Sequence, residues 1–203
     1  SLGANTTAAN NTAVGKSALA ANTTGSENTA VGTISLDANT IGGENTAVGY
    51  SALGSNVSGD RSTAMGYNAL SSQNNGTSSY DADNTAFGFH AAVNITTGLR
   101  NIAIGSGALG AADADGRNVA IGYSALSNMN TASATPYNTA IGYEAGGSVT
   151  TGVNHTLIGS LAGDALTTGN NHVVVGVKAL TSEVLGSAAV AIGYSALEAQ
   201  NMG

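Results

Sequence analysis

Eleven segments of the form Asn11-Thr12-Ala13-Val14-Gly15 recur along the chain, and eight of the ten steps between their closing glycines are 17 residues. Those glycines are Gly15, Gly32, Gly49, Gly66, Gly88, Gly105, Gly122, Gly142, Gly159, Gly176 and Gly193. The other two steps are 22 and 20 residues, so one unit carries an insertion of five and another an insertion of three. A period this strict marks a stacked repeat, in which each unit buries its apolar face against its neighbours. A second glycine tends to follow ten residues after the first, at Gly25, Gly42, Gly59, Gly76, Gly98, Gly152, Gly169, Gly186 and Gly203. Both insertions fall beyond it. One includes Thr77 to Asp83 and the other, Ser133 to Tyr137, surrounds Pro136, the only proline. Insertions collected on one edge of a unit mark a turn that faces solvent.

The consensus is N-T-A-[VI]-G-Y-S-A-L-x-x-N-T-T-G-x-x. Apolar residues never keep the three- and four-residue spacing long enough for a helix. The N-T-A-V stretch predicts a strand ending at a glycine corner, S-A-L a second short strand, and N-T-T-G a turn in which Asn and Gly tolerate positive φ. Two strands and two turns make one coil of an all-β parallel β-solenoid, or β-roll, of about twelve coils spanning on the order of 55 Å. Residues 1–203 would form a single repeat domain. Ser1 enters partway through a coil and Gly203 leaves at a second-glycine turn, so a fragment of a longer chain, or a filament subunit, is expected.

Stacking places equivalent positions over one another. The fourth position forms an aliphatic ladder of Val14, Val31, Val48, Met65, Phe87, Ile104, Ile121, Ile141, Ile158, Val175 and Ile192. The ninth is mostly Leu and the eighth nearly all Ala. The first, opened by Asn11, Asn28 and Asn45, can run as an amide ladder. One coil buries too little to offset the entropy of ordering it, so pairing between coils must supply much of the rest. Both side-chain directions of the N-T-A-V strand are small or apolar, which suggests burial on both faces. One face would line the coil; the other would meet neighbouring chains, giving a homo-oligomer, expected to be a trimer.

Composition narrows the function. Charged residues are 8% of the chain against roughly 25% in globular proteins, while 42% are hydrophobic, which argues against disorder. Five Lys and Arg cannot neutralise a phosphate backbone, so no nucleic acid is expected as partner. There is no Cys, hence no disulfide framework or thiolate metal site. The longest apolar run, Ala188 to Ile192, is too short for membrane insertion as a helix.

Copies such as Asn138-Thr139-Ala140-Ile141-Gly142-Tyr143 and Val190-Ala191-Ile192-Gly193-Tyr194-Ser195-Ala196-Leu197 resemble the N-T-A-x-G-Y-x-A-L repeats of phage tail-fibre segments. They are also similar to the shorter [ST]-x-A-[VI]-G-x-x-A units of trimeric autotransporter adhesin heads. The likeness covers essentially the whole chain, although the period is three residues longer than the adhesin-head unit. The resemblance implies a trimeric, left-handed parallel β-roll, extracellular, on a virion or cell surface.

Individual residues add little chemistry. His155 and His172 occupy the Asn column and would stack about 5 Å apart, as ladder substitutions and not as a metal site, since no third ligand type is near. His90 follows Phe89 in a different column. Asp81-Ala82-Asp83 and Asp113-Ala114-Asp115 read as solvated turns, without the glycine-spaced acidic loop of calcium repeats. Tyr50, Tyr67, Tyr123, Tyr143, Tyr194 and Phe89 recur just after the first glycine. Packing over the corners or sealing a chain interface is favoured for them over a glycan-binding stripe. Thr12, Thr29, Thr46, Thr63 and Thr85 invite an ice-binding alternative, but Ile102, Val119, Val173 and Val190 interrupt that column.

Glycine intervals of ten and seven do not follow the six-residue period of hexapeptide acyltransferases. No catalytic, cofactor or metal site is assigned, and no enzymatic activity is expected. What remains is an extracellular structural or adhesive rod, as in a phage tail fibre or trimeric surface adhesin, with an ice-binding solenoid or an end-to-end filament subunit as alternatives. Contact with a cell-surface receptor or glycan is expected at the inserted turns, through Tyr80, Asp81, Asp83, Pro136 and Tyr137.

Overall fold

A computed structural model describes all residues except 75, 77, 132–134, 183–185 and 199–203. Thr77, Ser133 and Gly203 of the sequence reading therefore lie outside the described residues. The strands are β1 (Thr12–Val14), β2 (Thr29–Val31), β3 (Thr46–Val48), β4 (Gly59–Asp60), β5 (Thr63–Met65), β6 (Tyr80–Asp81), β7 (Thr85–Phe87), β8 (Ile102–Ile104), β9 (Val119–Ile121), β10 (Thr139–Ile141), β11 (Thr156–Ile158), β12 (Val173–Val175) and β13 (Val190–Ile192). Eleven of them, all but β4 and β6, form one parallel sheet in chain order. Register is strict: Thr12 faces Thr29, Ala13 faces Ala30, and Val14 faces Val31. Both insertions are absorbed without a slip, Thr63 meeting Thr85 and Val119 meeting Thr139. The chain is thus an all-β parallel β-solenoid, with no helix among the described residues. Its eleven rungs follow a partial coil in which the Leu2 amide donates to the Ala18 carbonyl (3.3 Å) and the Thr6 amide to that of Thr23 (3.0 Å).

Each coil has one three-residue strand in the main sheet, and among the described residues only the coils carrying β4 and β6 have a second, which is not the S-A-L segment. The S-A-L segment is a turn, because its Leu sits in the left-handed region: φ is 50° at Leu19, 48° at Leu36, 51° at Leu53 and 49° at Leu126. An L-residue pays about 1–2 kcal/mol for that conformation. Full burial of the Leu side chain, worth about 2 kcal/mol, offsets the cost. The turn also aims the Leu19 amide at the Ser35 carbonyl of the next coil (3.1 Å) and the Leu36 amide at that of Ala52 (3.0 Å). Positive φ recurs two residues before this Leu, as at Ser17 and Ser51, and at the coil's last residue, as at Glu27 and Arg61. It is not found at Asn22 or at Gly25 of the N-T-T-G turn.

The interior is narrow. Third-position Ala30, Ala47, Ala64, Ala86, Ala103, Ala120 and Ala140 point inward and are buried, meeting the eighth-position Ala and the ninth-position Leu. The aliphatic ladder at the fourth position is real, but it lies on the outer face with the second-position residues. Alternation explains this: in a three-residue strand the middle side chain faces opposite to its neighbours, and that inward place is held by Ala in most coils, by Leu157 in β11 and by Val174 in β12.

Two amide ladders run down the interior. At the first position the Asn28 amide N–H donates to Asn11 Oδ1 (2.8 Å), while Asn28 Nδ2 donates to the Gly42 carbonyl (2.8 Å). The expected ladder thus bridges backbone groups more than it pairs amide with amide. The second ladder lies at the twelfth position, where Asn39 Nδ2 donates to Asn22 Oδ1 (2.9 Å), Asn56 Nδ2 to Asn39 Oδ1 (3.2 Å) and Gln73 Nε2 to Asn56 Oδ1 (3.2 Å). Beyond Gln73 the same column turns apolar, with Ile95, Ala112, Met129, Val149 and Leu166 buried.

Candidate functional site

The outer face of the sheet is the most extensive candidate. Its second- and fourth-position columns carry Thr, Val, Ile, Met and Phe and no charged residue over eleven rungs. Phe87 is 52% exposed, Ile192 67%, and Ile102, Ile104, Ile141 and Ile158 between 37% and 38%. Eleven strands at about 4.8 Å make a strip roughly 50 Å long. The five Thr residues considered for ice binding do stand on this face, in line with Ile102 and Val119.

Beside the strip run the aromatic side chains that follow the corner glycines. Tyr50 stacks on Tyr67 with ring centroids 5.0 Å apart, Tyr67 on Phe89 at 5.4 Å, and Tyr123 on Tyr143 at 5.3 Å, all within 17° of parallel. Each ring covers one face of its neighbour, and Tyr67 has a ring on both faces, so the aromatic side chains pack on one another along the corner as well as facing solvent. His90 joins the first stack, its ring 4.0 Å from that of Phe89.

At the longer insertion, β4 and β6 pair in parallel, Gly59 facing Tyr80 and Asp60 facing Asp81. Asp81 and Asp83 are not merely solvated there. Arg61 forms an ion pair with Asp81 and a second with Asp83 (3.0 Å), and Arg100 approaches Asp83 (3.6 Å). The hydrogen bond that Arg61 donates to Asp81 is the largest of the influences that raise the Arg61 pKa. Arg61, Asp83 and Arg100 hold the last position of successive coils, a register signal that the sequence contained and that motif reading passed over. Asp113 and Asp115 do not converge either: Asp113 accepts from Thr96, while buried Asp115 accepts from the Thr131 amide (3.0 Å) and hydroxyl. At the shorter insertion Pro136 is buried and its carbonyl accepts the Asn154 amide (2.7 Å), so it is not a surface contact. Tyr137 is exposed, with the Arg117 guanidinium 5.9 Å from its ring centre.

A polar recess of about 260 Å³ is lined by Ser124, Ser127, Asn128, Glu144, Gly147, Ser148 and Asp164. It opens where Gly147 leaves a gap between the side chains of Ser127 and Asp164 in adjacent coils. Burial raises the Asp164 carboxyl pKa, and its Oδ1 is buried without a hydrogen-bond partner. Among the described residues no three His, Cys, Asp or Glu side chains gather as metal ligands.

His155 and His172 stand in the Asn column, as expected, with ring centroids 5.1 Å apart and planes 25° from parallel. Each imidazole takes over the acceptor job of the amide it replaces, and His172 takes over the donor job as well. His155 Nδ1 accepts the His172 amide (3.3 Å), and His172 Nδ1 accepts that of Ala189 (3.2 Å), as Asn Oδ1 does elsewhere. His172 Nε2 donates to the Gly186 carbonyl (2.9 Å), as Asn Nδ2 does. The equivalent His155 Nε2 is buried without a partner; the Gly169 carbonyl influences the ring but lies outside normal hydrogen-bond geometry. Compared with protein-family models, with curated proteins and with solved structures, the chain matches none.

Proposed function

We propose that this chain is the shaft or head of an extracellular homotrimeric rod, of the kind that forms a phage tail fibre or a surface adhesin, and that its task is mechanical. One observation carries this: the outer strand face holds no charged residue over eleven rungs, and its fourth-position column is aliphatic or aromatic throughout and partly to largely exposed. A strip roughly 50 Å by 13 Å offers on the order of 650 Å² per copy, close to the roughly 800 Å² per partner of a stable interface. Covering the exposed half of each fourth-position side chain contributes about 1 kcal/mol per rung. Summed over the rungs, that is comparable to the 4–15 kcal/mol that association costs. Self-association fits the strip because copies of the same repeat share one rung spacing. Three left-handed rolls joined on this face would leave the charged last-position residues and both insertions outside. Receptor or glycan contact is proposed at exposed Tyr137 and along Tyr80 to Asp83, where the repeat is interrupted. A rod of this kind needs no catalytic group.

Sedimentation of the purified protein tests this. The expected mass is three times that of the chain, reduced to one chain by the pair Ile104→Asp and Ile121→Asp, with Glu44→Lys at a coil's last position as the control that stays trimeric. A wild-type protein that sediments as a monomer at tens of micromolar would sink the trimer. The outward Thr residues at one register position of the sheet give ice binding a specific footing. It is expected to fail, with no thermal hysteresis, because aliphatic residues replace Thr at Ile102, Val119, Val173 and Val190.

A further inference from the structure

The first-position column changes chemistry toward one end of the rod. Asn138 is followed by His155 and His172, and then by Ala189. Both rings are buried and stacked on one another. Each offers a bare Nδ1 lone pair to the backbone N–H of the next coil. A neutral imidazole can do this; an imidazolium cannot, because both of its nitrogens carry protons. Protonating His155 would therefore set an N–H against the His172 amide and remove a bond that joins two coils. Protonating His172 would do the same at Ala189. An Asn in the same place has no such state, since its carbonyl oxygen accepts at any physiological pH.

We propose that the His155–His172 stack is an acid-sensitive joint, at which protonation uncouples the coils carrying β12 and β13 from the rest of the rod. Nearest-neighbour stacking makes this local: a solenoid coil is held only by the coils beside it, so a broken junction frees what lies beyond without unfolding what lies before.

The surroundings favour the neutral form of His155. Among the described residues, His172 is the one titratable group that acts on His155. Its other neighbours are Asn138, Gly152 and the Gly169 carbonyl, and for His172 the Ala189 amide, Gly169 and the Gly186 carbonyl. Ion pairs among the described residues involve Arg61, Asp81, Asp83 and Arg100, none of which touches either ring. Glu183, which follows Leu166 by 17 residues in the sequence, lies outside the described residues. Burial first, and then the adjacent His172, lower the His155 pKa from 6.5 to about 4. The stabilisation by the neutral ring is thus complete above about pH 6.5 and is lost as pH falls through about 4.

Residue-resolved amide exchange at pH 7.5 and pH 4.0 tests the joint. The Asn45 and Asn118 amides serve as internal references, since they donate to the Asn28 and Asn101 side chains. The expected result is that the His172 and Ala189 amides lose about 100-fold in protection relative to these references at the lower pH. The double variant His155→Asn, His172→Asn should keep its protection at both pH values, and Glu183→Gln should behave as wild type. Equal protection of the His172 and Asn118 amides at pH 4.0 overturns the proposal. So does a loss that persists in the double variant, or one that Glu183→Gln abolishes. If the double variant fails to fold, ring ¹⁵N shifts of the wild type decide: an acceptor Nδ1 on both rings at pH 7.5 supports the joint, and a protonated Nδ1 there overturns it.

Discussion

Gly122→Ala is expected to destabilise the rod by about 4 kcal/mol or to prevent folding, while Gly107→Ala, one coil earlier and at a different corner, stays within about 1 kcal/mol of wild type. Gly122 has φ 136°, and a Cβ built there would lie 2.6 Å from the Gly142 carbonyl carbon and nearer still to its oxygen. The obstacle is backbone, so it cannot rotate aside; the two rungs must part. Parting them strains the bonds from the Gly142 amide to the Ile121 carbonyl (2.7 Å) and from Glu144 to Tyr123 (2.8 Å), worth about 1 kcal/mol each. Backbone strain adds about 1–3 kcal/mol. Gly107 has φ 69°, and its Cβ would meet only Ser124 Oγ, at 3.5 Å. Other coils place Ser51, Asn68 and His90 in the same left-handed conformation at the equivalent position, so Ala is accommodated there. Gly193→Ala separates the two terms, because φ is 122° but nothing lies within 4 Å of the added atom. It is expected at about 2 kcal/mol. Urea unfolding of the three variants checks the order, and equal midpoints for Gly122→Ala and Gly107→Ala would show that rung contact at the corner is not what requires glycine.

The corner glycines were legible in the sequence because a steric demand that recurs every 17 residues leaves no alternative residue. The strand, the register across both insertions, the Asn column and the role of His155 and His172 follow from the same period. The direction of the strand faces does not. Alternation says that Thr29 and Val31 share a side and Ala30 takes the other, but not which side is inside. The usual preference for burying the bulkier residue fails because Leu36, arriving from the turn, already fills the interior. That Leu was itself misread as part of a strand, since an L-residue at φ 48° is stabilised by tertiary burial that local propensity does not encode. Asn22 looked like a turn residue for its tolerance of positive φ; its side chain is instead buried in a ladder, and only its spacing of 17 from Asn39 and Asn56 hinted at that.

The same ladder yields the second large effect. Asn39→Val should cost about 3 kcal/mol, and the triple variant Asn22→Val, Asn39→Val, Asn56→Val only about 1–2 kcal/mol more than the single one. A lone Val removes the donor to Asn22 Oδ1 and the acceptor for Asn56 Nδ2, leaving a buried carbonyl with no partner among side chains. Such an orphan costs about 1–3 kcal/mol on top of the lost bonds. Removing all three amides removes the side-chain orphans with them and leaves one new buried donor, the Gly59 amide, which donates to Asn56 Oδ1 at 3.1 Å. The glycine carbonyls that these amides also serve stay satisfied, because Gly25, Gly42 and Gly59 each accept a second bond, from Asn11, Asn28 and Asn45 respectively, at 2.8 Å. Gln73 Nε2 keeps the Ser62 hydroxyl at 3.1 Å. Val also suits the site sterically, as buried Val149 holds the equivalent position further along. The polar half of the column would then resemble its apolar half, where Ile95 and Leu166 need no partners. Thermal unfolding of the single and triple variants measures the coupling. A triple variant three times as costly as the single would mean that each amide contributes on its own, and that the column is a set of separate turns instead of one connected ladder.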